Sequence, residues 1–135
     1  PKAGGDPRKR LAAIAGLDIE LGLAMSGHRF DLLVKLLEMF LDGHGNDPQR
    51  LRELARSGDR PAIQRIAHTL KGSAWYVGAR GLVETAERIL SAAHGGEPTA
   101  FEDTQKLADD LEALLAALRE ALGSEHRQVA KASAG

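Results

Sequence analysis

The sequence predicts an all-α protein: an antiparallel up-down four-helix bundle with short N-terminal helices covering one end. Three observations point there. Alanine and leucine supply most of a 43% hydrophobic fraction, and aromatic residues make up only 4% of the chain. Ala and Leu are strong helix formers, and β-branched residues are scarce. The apolar residues recur at helical spacing, and no strand-like alternation persists. Amphipathic helices joined by short turns bury their stripes only against each other, and the economical solution is an up-down bundle.

The elements follow in chain order. Residues 1–7 (PKAGGDP) are small, polar and aperiodic, and read as a flexible linker. Leu11, Ile14 and Leu17 suggest a short leading helix. Asp18 can cap a second short helix holding Ile19, Leu21, Leu23 and Met25, which stops near Ser26 and Gly27. The next stripe is Phe30, Leu33, Leu37 and Phe40, then Leu51 and Leu54. Its register survives the intervening gap, which favours one long, bent helix over 29–57. The alternative is two helices, with Asp47 capping the second and Pro48 at its first position. Ser57-Gly58-Asp59 stops that segment, and Asp59 caps a helix that begins at Arg60-Pro61 and ends at Gly78. A helix over 80–94 shows Leu82, Ala86, Ile89 and Ala93. Gly95 to Pro98 form a turn. The last helix, over 98–122, shows Phe101, Thr104, Ala108, Leu111, Leu115, Leu118 and Leu122. Residues 123–135 again lack a pattern and read as a flexible tail. The domain is therefore assigned to 8–122, with no internal repeat and no second domain.

Bulk properties exclude several function classes. The 135 residues suit one domain and are too few for most enzymes with a nucleotide-binding domain. Eighteen basic and 19 acidic residues give a formal charge of −1, which would not hold a nucleic-acid backbone or an anionic membrane. There is no cysteine, so disulfides and thiolate metal sites are impossible. No apolar run approaches the ~20 residues that span a bilayer. The start is polar, lacks a signal-peptide stretch and carries no initiator Met, which suggests a piece of a longer protein.

The informative stretch is Ala67-His68-Thr69-Leu70-Lys71-Gly72-Ser73-Ala74. At about 100° per residue, Ile63, Ile66, Ala67, Leu70, Ala74 and Val77 fall in one arc, the core face. His68 lies roughly 160° from the centre of that arc and so points to water. Gln64, Lys71, Gly72 and Trp75 share the outward side, with Arg65 a little round the helix. A neutral imidazole offers an unprotonated ring nitrogen near pH 7, so an exposed His on a rigid helix can act as a nucleophile. Lys71, one turn on, can hold a phosphoryl oxygen as a point charge. Gly72 costs helix stability, and its return is clearance for another protein to approach the imidazole. The bland reading is a solvated surface His. A Lys one turn away adds little against that reading, and a Gly on the same face adds more.

Residues 68–79, HTLKGSAWYVGA, resemble the signature of histidine phosphotransfer (HPt) domains, H-x-L-K-G-S-A-x-x-h-G-A, where h is apolar. Every specified position matches. The surroundings fit as well: Phe40 in an apolar long helix, a Ser-Gly-Asp turn, Ile63 and Ile66 before the His, and Leu82 and Ala86 after it. The resemblance covers about residues 17–120. It implies that His68 accepts and donates the phosphoryl group, that Lys71 assists electrostatically, and that Gly72 admits a receiver domain. Gln64, Arg65 and Trp75 then belong to the partner-binding face. The resemblance implies no cofactor on this chain, since the magnesium ion of such transfers sits in the receiver's acidic pocket. It implies response-regulator receivers as partners. The absence of cysteine fits a cytoplasmic location, and the fragment-like start suggests the C-terminal part of a hybrid sensor kinase, whose remainder could tether it to the inner membrane. A closed bundle can be monomeric, and the isolated domain is expected to be so.

Trp75 and Tyr76 stand where many relatives carry small or polar residues. An exposed Trp75 is a docking anchor; the alternative is a Trp packed across a neighbouring helix. Leu90 replaces an acidic residue common in the family. His28, His44, His94 and His126 show no metal spacing such as H-E-x-x-H. Three other function classes remain in competition. One is the phosphoacceptor domain of a chemotaxis-type kinase, fed by an ATP-binding domain. Another is a helical adaptor with an idle His. The third, a metal-carboxylate bundle, needs Glu-x-x-His pairs that the core positions lack. In each reading, nothing in the chain could form an ATP site of its own.

Overall fold

The structure, a computed structural model, describes the backbone of residues 6–97 and 101–134 and the side chains of 6–97 and 101–123. Among the described residues there are helices and no strands. They run α1 (Pro7–Ala12), α2 (Ile19–Met25), α3 (Phe30–His44), α4 (Asp47–Ser57), α5 (Arg60–Val77), α6 (Arg80–His94) and α7 (Phe101–Ala134). In the bundle, α5 packs on α6, α6 on α7, and α7 on the α3–α4 segment, which closes back on α5. Short turns between these helices make successive ones antiparallel neighbours.

The predicted stripes form most of the core, and Leu107, outside them, joins it. Leu33, Leu37, Leu51, Ala67, Leu70, Ala74, Ala86 and Ile89 are each 1% exposed or less, as are Leu107, Leu111, Leu115 and Leu118. Ion pairs tie the helices around this core. Arg52 of α4 donates to Asp109 (2.7 Å) and Glu112 (2.8 Å) of α7. Hydrogen bonds to Asp109 and then Glu112 raise the Arg52 pKa further above its ordinary value. Thr85 of α6 donates to Asp110 of α7 at 3.0 Å.

Four expectations need correction. The stretch over 29–57 is two helices, broken at Gly45 and Asn46. Pro48 has no N–H to give the His44 carbonyl, and its ring crowds that carbonyl, so the α3 ladder cannot continue. Gly45 (φ −59°, ψ −31°) and Asn46 (φ −96°, ψ −4°) stay in the right-handed region, so the break is a bend rather than a reversal, and the apolar register survives it. Asn46, not Asp47, occupies the cap position, and Asp47 instead meets His44 Nδ1 at 2.7 Å. Second, Phe101, assigned to the α7 stripe, is 51% exposed. Third, the helical backbone of α7 continues beyond a non-helical Gly123 (φ 56°, ψ −131°) to Ala134, where the sequence predicts an aperiodic tail. Fourth, α1 starts at Pro7, inside the predicted linker, because Asp6 accepts from the Arg8 N–H and Pro suits the first turn. Residues 1–5 and the predicted start of the last helix at 98–100 lie outside the described residues.

The N-terminal helices cover one end of the bundle, as predicted; Leu11, Leu17 and Leu23 join the core, and part of the contact is backbone against backbone. Asp18 N–H donates to Gly78 O at 2.7 Å, and Gly81 N–H donates to Gly16 O at 3.0 Å. Asp18 also caps α2 through the Leu21 N–H and accepts from Arg80 Nε at 3.1 Å. The Leu21 bond, reinforced by Arg80, holds the Asp18 carboxyl below the usual carboxylate range. A lowered carboxylate pKa contributes stability above its ordinary value and loses it as pH falls through the lowered one, so acid loosens this junction. At Gly78 (φ 81°), a Cβ would stand 2.3 Å from the Asp18 carbonyl oxygen, so only glycine both ends α5 and lets α2 lie this close.

Gly78→Ala is expected to cost at least about 2 kcal/mol in urea unfolding, from the strained backbone and the clash together. A loss below about 0.5 kcal/mol, the size of an ordinary surface substitution, would contradict this account of the junction.

Candidate functional site

The site is built on α5, whose ends are well defined. Asp59 accepts from the Ala62 N–H at 3.2 Å, Pro61 sits in the first turn, and Gly78 closes the C-terminus in the left-handed conformation. The inner arc of α5 is Ala62, Ile63, Ala67, Leu70, Ala74 and Val77, all buried, with Ile66 half-buried at its edge. Burial of that arc fixes the rotation of the helix about its axis, and the residues opposite it have nowhere to point but solvent.

His68 is accordingly exposed, as are Arg65, Gly72 and Trp75, while Gln64 and Lys71 are intermediate. All six predicted site residues lie on one outward strip of a single helix. A Cβ built on Gly72 meets nothing within 4 Å, so no contact inside the chain requires a glycine there. The contrast with Gly78 is direct: one glycine is demanded by neighbouring backbone, the other by nothing in the protein itself.

Trp75 is 41% exposed and Tyr76 57%. Trp75 is thus neither sealed against a neighbouring helix nor fully free. It lies two turns from His68 along the same face. Leu90, where an acidic residue is common, is half-buried and packs on the core.

One contact at the candidate site is not readable from spacing along the sequence. Lys71 Nζ lies 3.5 Å from Glu87 Oε2 of α6, with the two side chains 43% and 51% exposed. Sixteen positions separate these residues, and only the docking of α6 on α5 brings them together. The outward position of Glu87 on its own helix was the only available hint.

A cavity of about 950 Å³ lies between α1, the α1–α2 loop, α6 and α7, and no α5 residue lines it. Among the described residues no group of three or more His, Asp or Glu side chains is placed to hold a metal ion. His44 is held by Asp47 and rests on the Phe40 ring, with centroids 4.6 Å apart, so it belongs to the helix bend. No described helix is long and apolar enough to cross a membrane. The exposed His68 imidazole is open to a reactant approaching from solvent.

The family model described as Hpt domain matches residues 35–129, which begins within α3 and runs past Gly123. No curated protein and no solved structure matches the chain.

Gly72→Ala is expected to raise stability by about 0.5–1 kcal/mol, because the new methyl meets open space and the helix gains propensity. Urea unfolding measures this, and destabilisation would mean that Gly72 is needed by the fold itself.

Proposed function

The chain belongs to the Hpt domain family, whose role is histidine phosphotransfer in two-component signalling, and on that premise we propose that it relays a phosphoryl group between receiver domains on His68. The observation that carries this reading is an exposed His68 beside a glycine that the fold does not need. A glycine kept against helix propensity has its return outside the chain, in the clearance it gives a docked partner.

The chemistry is an in-line displacement. A lone-pair nitrogen of the neutral His68 ring attacks the phosphorus of an aspartyl phosphate on the receiver. The N–P bond forms as the P–O bond to the aspartyl carboxylate breaks, and the carboxylate leaves with the electron pair. The proton on the other ring nitrogen stays on the ring and later equilibrates with water. Transfer onward to a second receiver is the same step reversed. Such a transfer depends on positioning and charge neutralisation more than on a general base. Lys71 supplies a positive charge one turn from the imidazole, and the receiver supplies its acidic pocket and magnesium ion. No cofactor is assigned to this chain.

Partner recognition follows from the same strip. Gln64 and Arg65 offer polar contacts on one side of His68 and Trp75 a large apolar one on the other. A half-exposed Trp on a docking face is the type of residue that carries binding energy. We assign the domain to the phosphotransfer end of a hybrid sensor kinase, acting without ATP chemistry of its own.

The test is incubation with a phosphorylated receiver and magnesium, followed by assay for acid-labile, base-stable phosphate. Wild type is expected to take label and His68→Ala none, with helicity unchanged in the mutant because the residue is exposed. Gly72→Leu is expected to lose label by blocking docking while remaining folded. Label on His68→Ala would overturn the assignment, and label only when a kinase core and ATP are added would favour a chemotaxis-type phosphoacceptor.

A further inference from the structure

The ion pair between Lys71 and Glu87 bears on how tightly a phosphoryl group on His68 can be held. At 3.5 Å it is longer than the ion pairs made by Arg29, His44, Arg52, Arg80 and Lys106, which lie between 2.7 and 3.1 Å. Both side chains are about half exposed, so water and salt screen the attraction and little opposes its rupture. Lysine is a compact charge on a flexible four-carbon stem, free to swing between acceptors on either side. Its two acceptors here would be the Glu87 carboxylate on α6 and a phosphoryl group one turn away on α5.

We propose that Glu87 is a positioning residue that parks the Lys71 ammonium over the α5–α6 seam and surrenders it to the phosphoryl group on His68. This rests on the reading of His68 as the phosphoryl carrier. Glu87 forms no covalent bond and moves no proton; the N–P bond forms and breaks as described above. Its effect is competitive. A phosphoryl group carries nearly two negative charges and three strong acceptor oxygens, so it outbids a single carboxylate for the ammonium. The exchange gives back part of that gain, because the Lys71–Glu87 contact must be lost first. Phosphohistidine is therefore held less firmly than Lys71 alone would hold it, which suits a carrier that must pass its cargo on. In the unmodified protein the same contact keeps the ammonium in reach of His68 rather than loose in solvent.

The measurement is the equilibrium partition of label between His68 and a receiver aspartate, for wild type, Glu87→Gln, Lys71→Ala and the double variant. Phosphoramidate serves as a second, small-molecule donor. Glu87→Gln is expected to raise the phosphohistidine share about two- to fivefold, the scale of an exposed ion pair. In the Lys71→Ala background the same substitution is expected to change it little, since the competition has lost its object. A role in folding alone would move unfolding midpoints and leave this coupling absent. An unchanged or reduced share in Glu87→Gln, or an equal effect with and without Lys71, would overturn the proposal while leaving His68 as the carrier. Absence of label on wild type from either donor would overturn the reading of His68 and the role of Glu87 with it.

Discussion

Burial of the inner arc of α5 is the constraint on which the rest depends. Ala67, Leu70 and Ala74 are fully buried, and two of the three are alanines, so α5 sits close against its neighbours. A helix held that closely has no freedom to rotate. With 3.6 residues per turn, fixing Ala67 and Leu70 inward fixes His68 and Lys71 outward, and Gly72 and Trp75 with them. The exposed face that carries His68 is thus the complement of the core, set by the same packing that stabilises the fold. No loop has to be ordered to present it, and little entropy remains to be lost when a partner docks.

The remaining helices serve that arrangement from different sides. The α3–α4 segment and α7 complete the core that α5 and α6 need. The short α1 and α2 close one end, through Gly78 and the Asp18 carbonyl. That junction pins the C-terminal end of α5, about 15 Å along the helix from His68 at ~1.5 Å per residue. On the proposed reading the receiver completes the chemistry, and a single imidazole, one lysine and a gap where a side chain could be are what this chain contributes.

Periodicity and caps made most of this architecture readable before any coordinates. Asp18, Asp59 and Gly78 act where their residue types predict, because caps satisfy local backbone groups and owe little to tertiary context. The outward strip was legible for the same reason, since a wheel needs only the chain's own spacing. What escaped depended on competition or on distance. At residues 45 and 46 the apolar register argued for continuity while Pro48 argued for a break, and the missing N–H decided the hydrogen bonding without redirecting the chain. Phe101 kept the period of α7 but stands at its first residue, where the bundle has ended. Glu87 could not be found from spacing, because its meeting with Lys71 exists only once α6 has docked. Trp75 fell between its two readings, partly covered and partly offered to solvent.

On the proposed reading, the α5 strip around His68 is the surface on which a receiver acts. A backbone amide NMR titration of the ¹⁵N-labelled protein with an unphosphorylated receiver domain and magnesium tests this. Shifts are expected to concentrate at Gln64, Arg65, His68, Lys71, Gly72 and Trp75 and at Glu87 across the seam, with the cavity between α1, α6 and α7 silent. Shifts centred on that cavity, with the outer face of α5 unchanged, would contradict it.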